Sequence, residues 1–171
     1  LVDAGLEYEQ LQADLAKLPL DGYQLEINKV QKQGIGGTKV NVKVDEGHHH
    51  RHLSDIRRII MESSLPEEVK RKSIEIFTRL AEVEAKIHQT EIEHVHFHEV
   101  GAVDAIIDVV GAVCGLWRLG IEKVYASSLN TGTGWTKSAH GLIPVPAPAT
   151  MALLQGVPIY SNGIEKELVT P

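Results

Sequence analysis

The fold is decided by one apolar stretch, GAVDAIIDVVGAVCGLWRL, which runs from Gly101 to Leu119. A helix formed by this stretch would be apolar almost all round, which is the pattern of a buried helix. We therefore predict a buried helix from Ala102 to Leu119, and the other elements are expected to pack around it.

Two carboxylates interrupt this helix. Asp104 and Asp108 would lie one turn apart on the same side, where like charges repel unless a cation compensates them. The same stripe continues through Gly111 and Gly115, small residues that let another backbone or a ligand come close. The pattern indicates a pocket beside the carboxylates. On a buried helix, the carboxylate of Asp108 would be hard to leave in free water. The alternative is that Asp104 only favours the positive end of the helix dipole.

A histidine-rich segment, HVHFHE, precedes the helix. It completes a set of three imidazoles and three carboxylates within fifteen residues, which is the composition of a metal site. A strand over residues 92–98 would carry the histidines on one face and bury the two apolar residues between them on the other. The histidines are His94, His96 and His98, and the apolar residues are Val95 and Phe97. The alternative is a solvated outer strand face. A zincin motif is excluded because position 102 is alanine.

A second histidine cluster follows a predicted hairpin. Clustered imidazoles bind nickel, copper, zinc or iron, so we predict a metal-acquisition loop. Its ligands would be His48, His49, His50 and His52. The alternative is a polar loop without a function. Ser54 is placed to cap the next helix, Asp55–Ser63.

Apolar periodicity predicts the remaining elements. We expect helices over 7–18, 65–88 and 147–154, a hairpin whose strands include 23–27 and 40–44, and a short strand at Lys123–Ala126. The predicted fold class is α/β, with helices packed on a mixed sheet and a β-hairpin near the N-terminus.

A glycine-rich loop and a histidine lie further along the chain. The loop consists of Thr131, Gly132, Thr133 and Gly134, and it is either a phosphate-lining loop or a plain turn. His140 precedes a proline-rich segment that would hold it rigidly. It is a ligand, an acid–base group or a hydrogen-bonded spacer.

Length and composition favour one compact domain spanning residues 1–171. The net charge is −6, and no basic block occurs, which argues against a nucleic-acid partner. The single cysteine, Cys114, fits a reducing cytoplasm. No apolar run is long enough for a membrane span, and no signal peptide is present. Both ends have the pattern of interrupted elements, so we expect a fragment of a longer protein.

Several long motifs together resemble the LarC-type family, the nickel-insertion proteins of nickel-pincer cofactor synthesis. The matching stretches are 48–56, 95–111 and 139–150. The resemblance implies a cytoplasmic enzyme of the lyase or cyclometallase class. Such an enzyme inserts nickel into pyridinium-3,5-bisthiocarboxylic acid mononucleotide in a CTP-dependent reaction. It also implies a preceding strand and a C-terminal region outside this chain, where CTP and Mg(II) would bind, and it leaves a homo-oligomer open.

The chemistry of the residues, considered apart from the resemblance, suggests a division of roles among the candidates. His94, His96, His98, Asp104 and Asp108 would hold or orient the metal at an inner site. Glu99 would be a ligand or a base, and His48–His52 would deliver the metal. His140 with Thr131–Gly134 would contact the substrate.

Two other classes of protein fit the same residues. A non-catalytic nickel store or metallochaperone would use the histidines without making a product. A metal-dependent hydrolase would use Glu99 as the base for a metal-bound water. The donor set suits Ni(II) but equally Zn(II) or Cu(II), so the metal is not decided by the residues alone.

Overall fold

The computed structural model describes residues 1–44, 51–95, 97, 101–138 and 141–171. The helices in these ranges are α1 (Tyr8–Leu15), α2 (Leu53–Glu62), α3 (Glu67–His88), α4 (Val103–Arg118) and α5 (Pro148–Leu153). The strands are β1 (Tyr23–Lys32), β2 (Ile35–Val44), β3 (Leu129–Asn130), β4 (Trp135–Ser138), β5 (Gly141–Pro144) and β6 (Ile159–Tyr160). Short 3-10 turns cover Val2–Ala4 and Ile92–His94.

The described strands form three two-stranded sheets. β1 and β2 make a long antiparallel hairpin, β4 and β5 make a short one, and β3 pairs with β6 in parallel. Gln33 and Gly34 turn the first hairpin with φ values of 50° and 84°. Positive φ angles at both central residues are what a two-residue hairpin turn of type I′ requires. The predicted α/β class and the N-terminal hairpin are confirmed.

The contacts divide the chain into two compact units. The first contains residues 1–78 and 96–122, and the second contains residues 79–95 and 123–171. The single domain expected from length and composition remains a prediction.

The core of the first unit forms around α4, as its apolar sequence predicts. Ile106 and Val110 are fully buried, and α4 packs against α1 and β2. A Cβ added to Gly111 would lie 3.5 Å from a methyl group of Leu15, so the glycine lets α1 pack closely on α4. The predicted buried helix is confirmed to within one residue at each end.

Three local predictions were wrong. Residues 92–94 form a 3-10 turn and not the start of a strand. Lys123–Ala126 forms no strand: Val124 and Tyr125 are largely exposed, and none of the described strands pairs with them. Ser54 lies inside α2, and the N-cap is His52, whose backbone N–H donates to Asp55 Oδ2 over 3.1 Å.

In the part of the chain that the structure describes, no helix has the length and apolar character needed to cross a bilayer. The longest, α3, carries charged pairs such as Arg71–Glu75. The most apolar, α4, has only 16 residues.

Candidate metal site

Arg51 joins the two histidine-rich segments of the sequence. Its backbone forms an isolated antiparallel bridge with Phe97. Its guanidinium Nη1 donates a hydrogen bond of 3.1 Å to the carbonyl oxygen of Gly101. Arg51 is half-buried and Phe97 is buried. Arg51 is therefore held to Phe97 and to Gly101, and Gly101 lies two positions before α4. We call this contact of Arg51, Phe97 and Gly101 the Arg51 join.

Gly101 is required by the close approach of the chain at this join. A Cβ at this position would lie 2.7 Å from the Cβ of Phe97 and 3.2 Å from the carbonyl oxygen of Arg51. The φ angle of Gly101 lies outside the left-handed region, so contact and not backbone strain excludes a side chain. Any larger residue would have to displace Phe97 and the backbone of Arg51.

Most of the predicted histidine ligands lie outside the described residues. These are His48, His49, His50, His96, His98 and His140, together with Glu99. His52 is described, is half-buried, and begins α2. In the sequence, Arg51 stands between His50 and His52, and Phe97 stands between His96 and His98.

His94 lies in the second unit, where it ends the 3-10 turn Ile92–His94 and is exposed. Its backbone N–H donates to the carbonyl of Glu91 over 3.0 Å. His94 therefore does not lie on a strand over residues 92–98, because a 3-10 turn does not place alternate residues on one face. The prediction that Val95 and Phe97 are buried is confirmed.

Asp104 and Asp108 both lie on α4, one turn apart, and both reach solvent. The Asp104 Oδ1 accepts a 2.9 Å hydrogen bond from the backbone N–H of Ala105. Partial burial and then the charge of Asp104 raise the pKa of Asp108. Asp108 is thus less enclosed than the sequence predicted, although partial burial and the charge of Asp104 disfavour its ionised form. Within the described ranges, including the surroundings of Asp104 and Asp108, no group of three or more histidine, cysteine or acidic side chains is arranged to hold a metal ion.

An open cleft of about 290 Å³ in the first unit runs beside Asp108 and Gly111. Its other walls are largely apolar and include Leu11, Leu25 and Val42. Gly115, the other small residue of the predicted stripe, is covered by Leu1 and Leu6. The small-residue stripe therefore serves packing at one end and borders a cleft at the other.

Cys114 contributes no thiolate to the site. The side chain is buried, and burial raises the pKa of the thiol to about 12. A neutral thiol at physiological pH is neither a metal ligand nor a nucleophile.

The loop Thr131–Gly134 belongs to the second unit, and its backbone is already hydrogen-bonded. The N–H of Thr131 donates to the carbonyl of Tyr160, and that of Thr133 donates to the carbonyl of Ile164. The N–H of Gly132 donates to Asn130 Oδ1 over 3.2 Å. A phosphate cradled by these three groups would have to displace all three bonds, so substrate contact at this loop remains a prediction.

Sequence reasoning did not assign a role to Arg51. The available signal was a single arginine inside a run of histidines, where a fixed positive charge opposes binding of a metal cation. The partner of Arg51 is 46 positions away in the chain, and no local pattern points to it.

Comparison with known proteins defines the class of protein. The sequence profile of the nickel insertion proteins matches residues 1–171. The chain belongs to the nickel insertion protein family.

Two relatives narrow this class. The pyridinium-3,5-bisthiocarboxylic acid mononucleotide nickel insertion protein of Desulfitobacterium hafniense is 65% identical over 171 residues, which is 100% of this chain and 42% of the relative. The protein of the same name from Staphylococcus epidermidis is 47% identical over 171 residues, which is 100% of this chain and 43% of the relative. The chain thus spans less than half the length of these relatives. No solved structure matches it.

Proposed function

We propose that the protein containing this chain inserts nickel into pyridinium-3,5-bisthiocarboxylic acid mononucleotide, and that residues 1–171 handle the nickel. The observation that carries the proposal is the family match over the whole chain, together with 65% identity to a relative named for this reaction. Nickel is here a substrate that must be bound and released. Incomplete coordination by imidazoles and carboxylates suits that task better than a closed four-ligand cage.

The candidate residues divide between acquisition and insertion. His48, His49, His50 and His52 acquire nickel, and His96, His98, Asp104 and Asp108 hold or orient it at the inner site. His94, which ends a 3-10 turn in the other compact unit, is left without a role in this proposal. Two features support the inner assignment: Asp104 and Asp108 are one turn apart on α4, and the pKa of Asp108 is raised partly by its neighbour. A bound cation would relieve this repulsion.

The reaction also needs a base. Replacing a ring C–H bond by a carbon–nickel bond releases a proton, and Glu99 or His140 accepts it in this proposal. The loop Thr131–Gly134, together with His140, contacts the substrate. CTP and Mg(II) bind outside this chain, the reaction falls in the lyase or cyclometallase class, and the protein acts in the cytoplasm.

Nickel binding should depend on neutral imidazoles. An unperturbed histidine titrates near about pH 6.5, so nickel affinity of the full-length protein should be markedly lower at about pH 5.5 than at about pH 7.5. Calorimetric titration at the two pH values measures this difference. Thermal unfolding at both values shows whether the protein stays folded, and equal affinity in folded protein would remove histidine from the account.

A further inference from the structure

We propose that one face of the β4–β5 hairpin binds the substrate, with the Trp135 indole stacked on the pyridinium ring and the Lys137 ammonium paired with an acidic group of the same molecule. The inference rests on the proposed function and deepens it, because it assigns substrate recognition to side chains outside the predicted loop. The face consists of Trp135, Lys137, Leu142 and Pro144, and we call it the Trp135 face. All four residues belong to the second compact unit.

The register of the hairpin places these side chains together. Trp135 pairs with Pro144 and Lys137 pairs with Leu142 across the two antiparallel strands. Alternate residues of a strand and directly opposed residues of a pair share one face. All four are exposed, whereas Thr136, on the opposite face, is half-buried. An aromatic ring and an ammonium group thus project from the same side of β4 two residues apart, about 7 Å along the strand, so one small molecule can reach both.

The indole of Trp135 is held in place by its backbone and is open to solvent. The side chain is 68% exposed. The carbonyl of the preceding residue, Gly134, accepts a 2.9 Å hydrogen bond from the N–H of Val145, which ties the start of β4 to the end of β5. The indole of Trp117, by contrast, already faces the guanidinium of Arg118, 5.7 Å from the ring centre. Among the residues that the structure describes, no cation is stacked on Trp135.

The chemistry of the proposed substrate matches both groups of the Trp135 face. The name of the Desulfitobacterium relative specifies a pyridinium ring, two thiocarboxylic acids and a mononucleotide, which carries a phosphate. Indole is the side chain that attracts a cation over its face most strongly, and it also stacks on flat rings. An ammonium group pairs with carboxylate or phosphate oxygens. Nickel would be repelled by Lys137, so the face suits the organic substrate and not the metal.

The position of Trp135 supports the same assignment. Trp135 directly follows the loop Thr131–Gly134, for which substrate contact was predicted. The N–H groups of Thr131, Gly132 and Thr133 already donate hydrogen bonds within the chain. Contact through the Trp135 face breaks none of these bonds, so this part of the chain can bind the substrate without rearranging the loop.

The test is calorimetric titration of metal-free, full-length protein with the bisthiocarboxylated pyridinium mononucleotide. Trp135→Leu removes the aromatic ring, Trp135→Phe keeps a smaller one, and Lys137→Gln removes the charge. Tyr125→Leu is the matched aromatic control, because Tyr125 is 85% exposed in the same unit. Lys123→Gln, at another exposed lysine of that unit, is the matched charge control.

We expect Trp135→Leu to weaken binding about tenfold and Trp135→Phe by less, since a phenyl ring keeps part of the attraction for a cation. Lys137→Gln should weaken binding by about threefold, and this loss should shrink at about 1 M salt, where exposed charges are screened. Both controls should bind as wild type. Nickel affinity, measured separately, should be unchanged in all five variants.

The proposal is overturned if folded Trp135→Leu protein binds the mononucleotide as tightly as wild type. It is also overturned if Tyr125→Leu weakens binding as much as Trp135→Leu does, since the effect would then not depend on the Trp135 face. Thermal unfolding identifies any variant that fails to fold, and Trp135→Phe and Lys137→Gln still test the proposal if Trp135→Leu does so. If the wild-type protein binds no mononucleotide, the proposed function itself is refuted, so the two failures are distinguishable.

Discussion

At the scale of single residues, Asp108 carries a charge that the folded chain disfavours. Its carboxylate is disfavoured by partial burial and by Asp104 one turn away, and both effects raise its pKa. A carboxyl group with a raised pKa in the folded state destabilises that state while it is ionised. The cost is small because the side chain reaches solvent.

We therefore predict opposite effects of Asp108→Asn on stability and on function. Near neutral pH the metal-free protein should gain about 0.2–0.5 kcal/mol, because a like-charge pair on the helix is removed. The gain should shrink as the pH falls towards about 4, where Asp108 becomes protonated in both states. Product formation by the full-length protein should fall, since a candidate nickel ligand is lost.

Urea denaturation and an assay of cofactor production measure the two effects. Asp21→Asn, at an exposed loop carboxylate, is the matched control and should change neither. Full activity of Asp108→Asn at limiting nickel would exclude Asp108 from the metal site.

At the scale of elements, α1 is fixed to α4 by an ion pair between the buried Asp14 and the partly exposed Arg118. The Asp14 carboxylate is buried and accepts hydrogen bonds from Nε and Nη2 of Arg118, while Lys17 Nζ lies 2.7 Å from Oδ1. Hydrogen bonds from Arg118 are the main cause of a lowered pKa at Asp14. The pair thus stabilises the packing that supports the cleft beside Asp108.

Asp14→Asn should destabilise the protein by about 2–3 kcal/mol, between the values for exposed and fully buried pairs, because Arg118 is partly exposed. A carboxyl group with a lowered folded-state pKa stabilises the protein above its unfolded pKa. That stability is lost as the pH falls through the folded value. The urea midpoints of wild type and Asp14→Asn should therefore converge below about pH 4.

Glu75→Gln provides the control, since its ion pair with Arg71 is exposed on α3 and should contribute little. If Asp14→Asn were as stable as wild type at neutral pH, the ion pair would have no role in joining the two helices.

Elements with strong periodicity could be predicted from the sequence. The apolar pattern of α4 and the alternation of β1 and β2 are local signals, and both elements formed where expected. Residues 92–94 and 123–126 were wrongly predicted because a short strand forms only where a partner strand lies beside it. No local pattern encodes that partner.

The candidate site was predictable in its residue types and not in its connections. The histidine and carboxylate composition indicated a metal site, and the position of Asp104 and Asp108 on one helix followed from its period. The Arg51 join connects residues that are far apart in the sequence, so it could be identified only in the folded chain. The same holds for the loop at Thr131. The N–H groups of Thr131 and Thr133 donate hydrogen bonds to the carbonyls of Tyr160 and Ile164, which lie much later in the chain.

At the scale of the whole molecule, the chain spans 42% of its Desulfitobacterium relative. The proposed reaction couples nickel binding to nucleotide use, and the second function is assigned to the remainder of the protein. We therefore expect residues 1–171 alone to bind nickel and to turn over poorly.

The most direct test is to look for the product itself. Full-length protein is incubated with nickel, CTP, magnesium and the bisthiocarboxylated pyridinium mononucleotide, in parallel with the folded 171-residue chain. Mass spectrometry should detect the nickel-bound cofactor with the full-length protein, at a rate far above that of the chain alone, and omitting CTP should abolish it. If the full-length protein binds nickel but forms no product, the insertion account is contradicted and the protein is a nickel store.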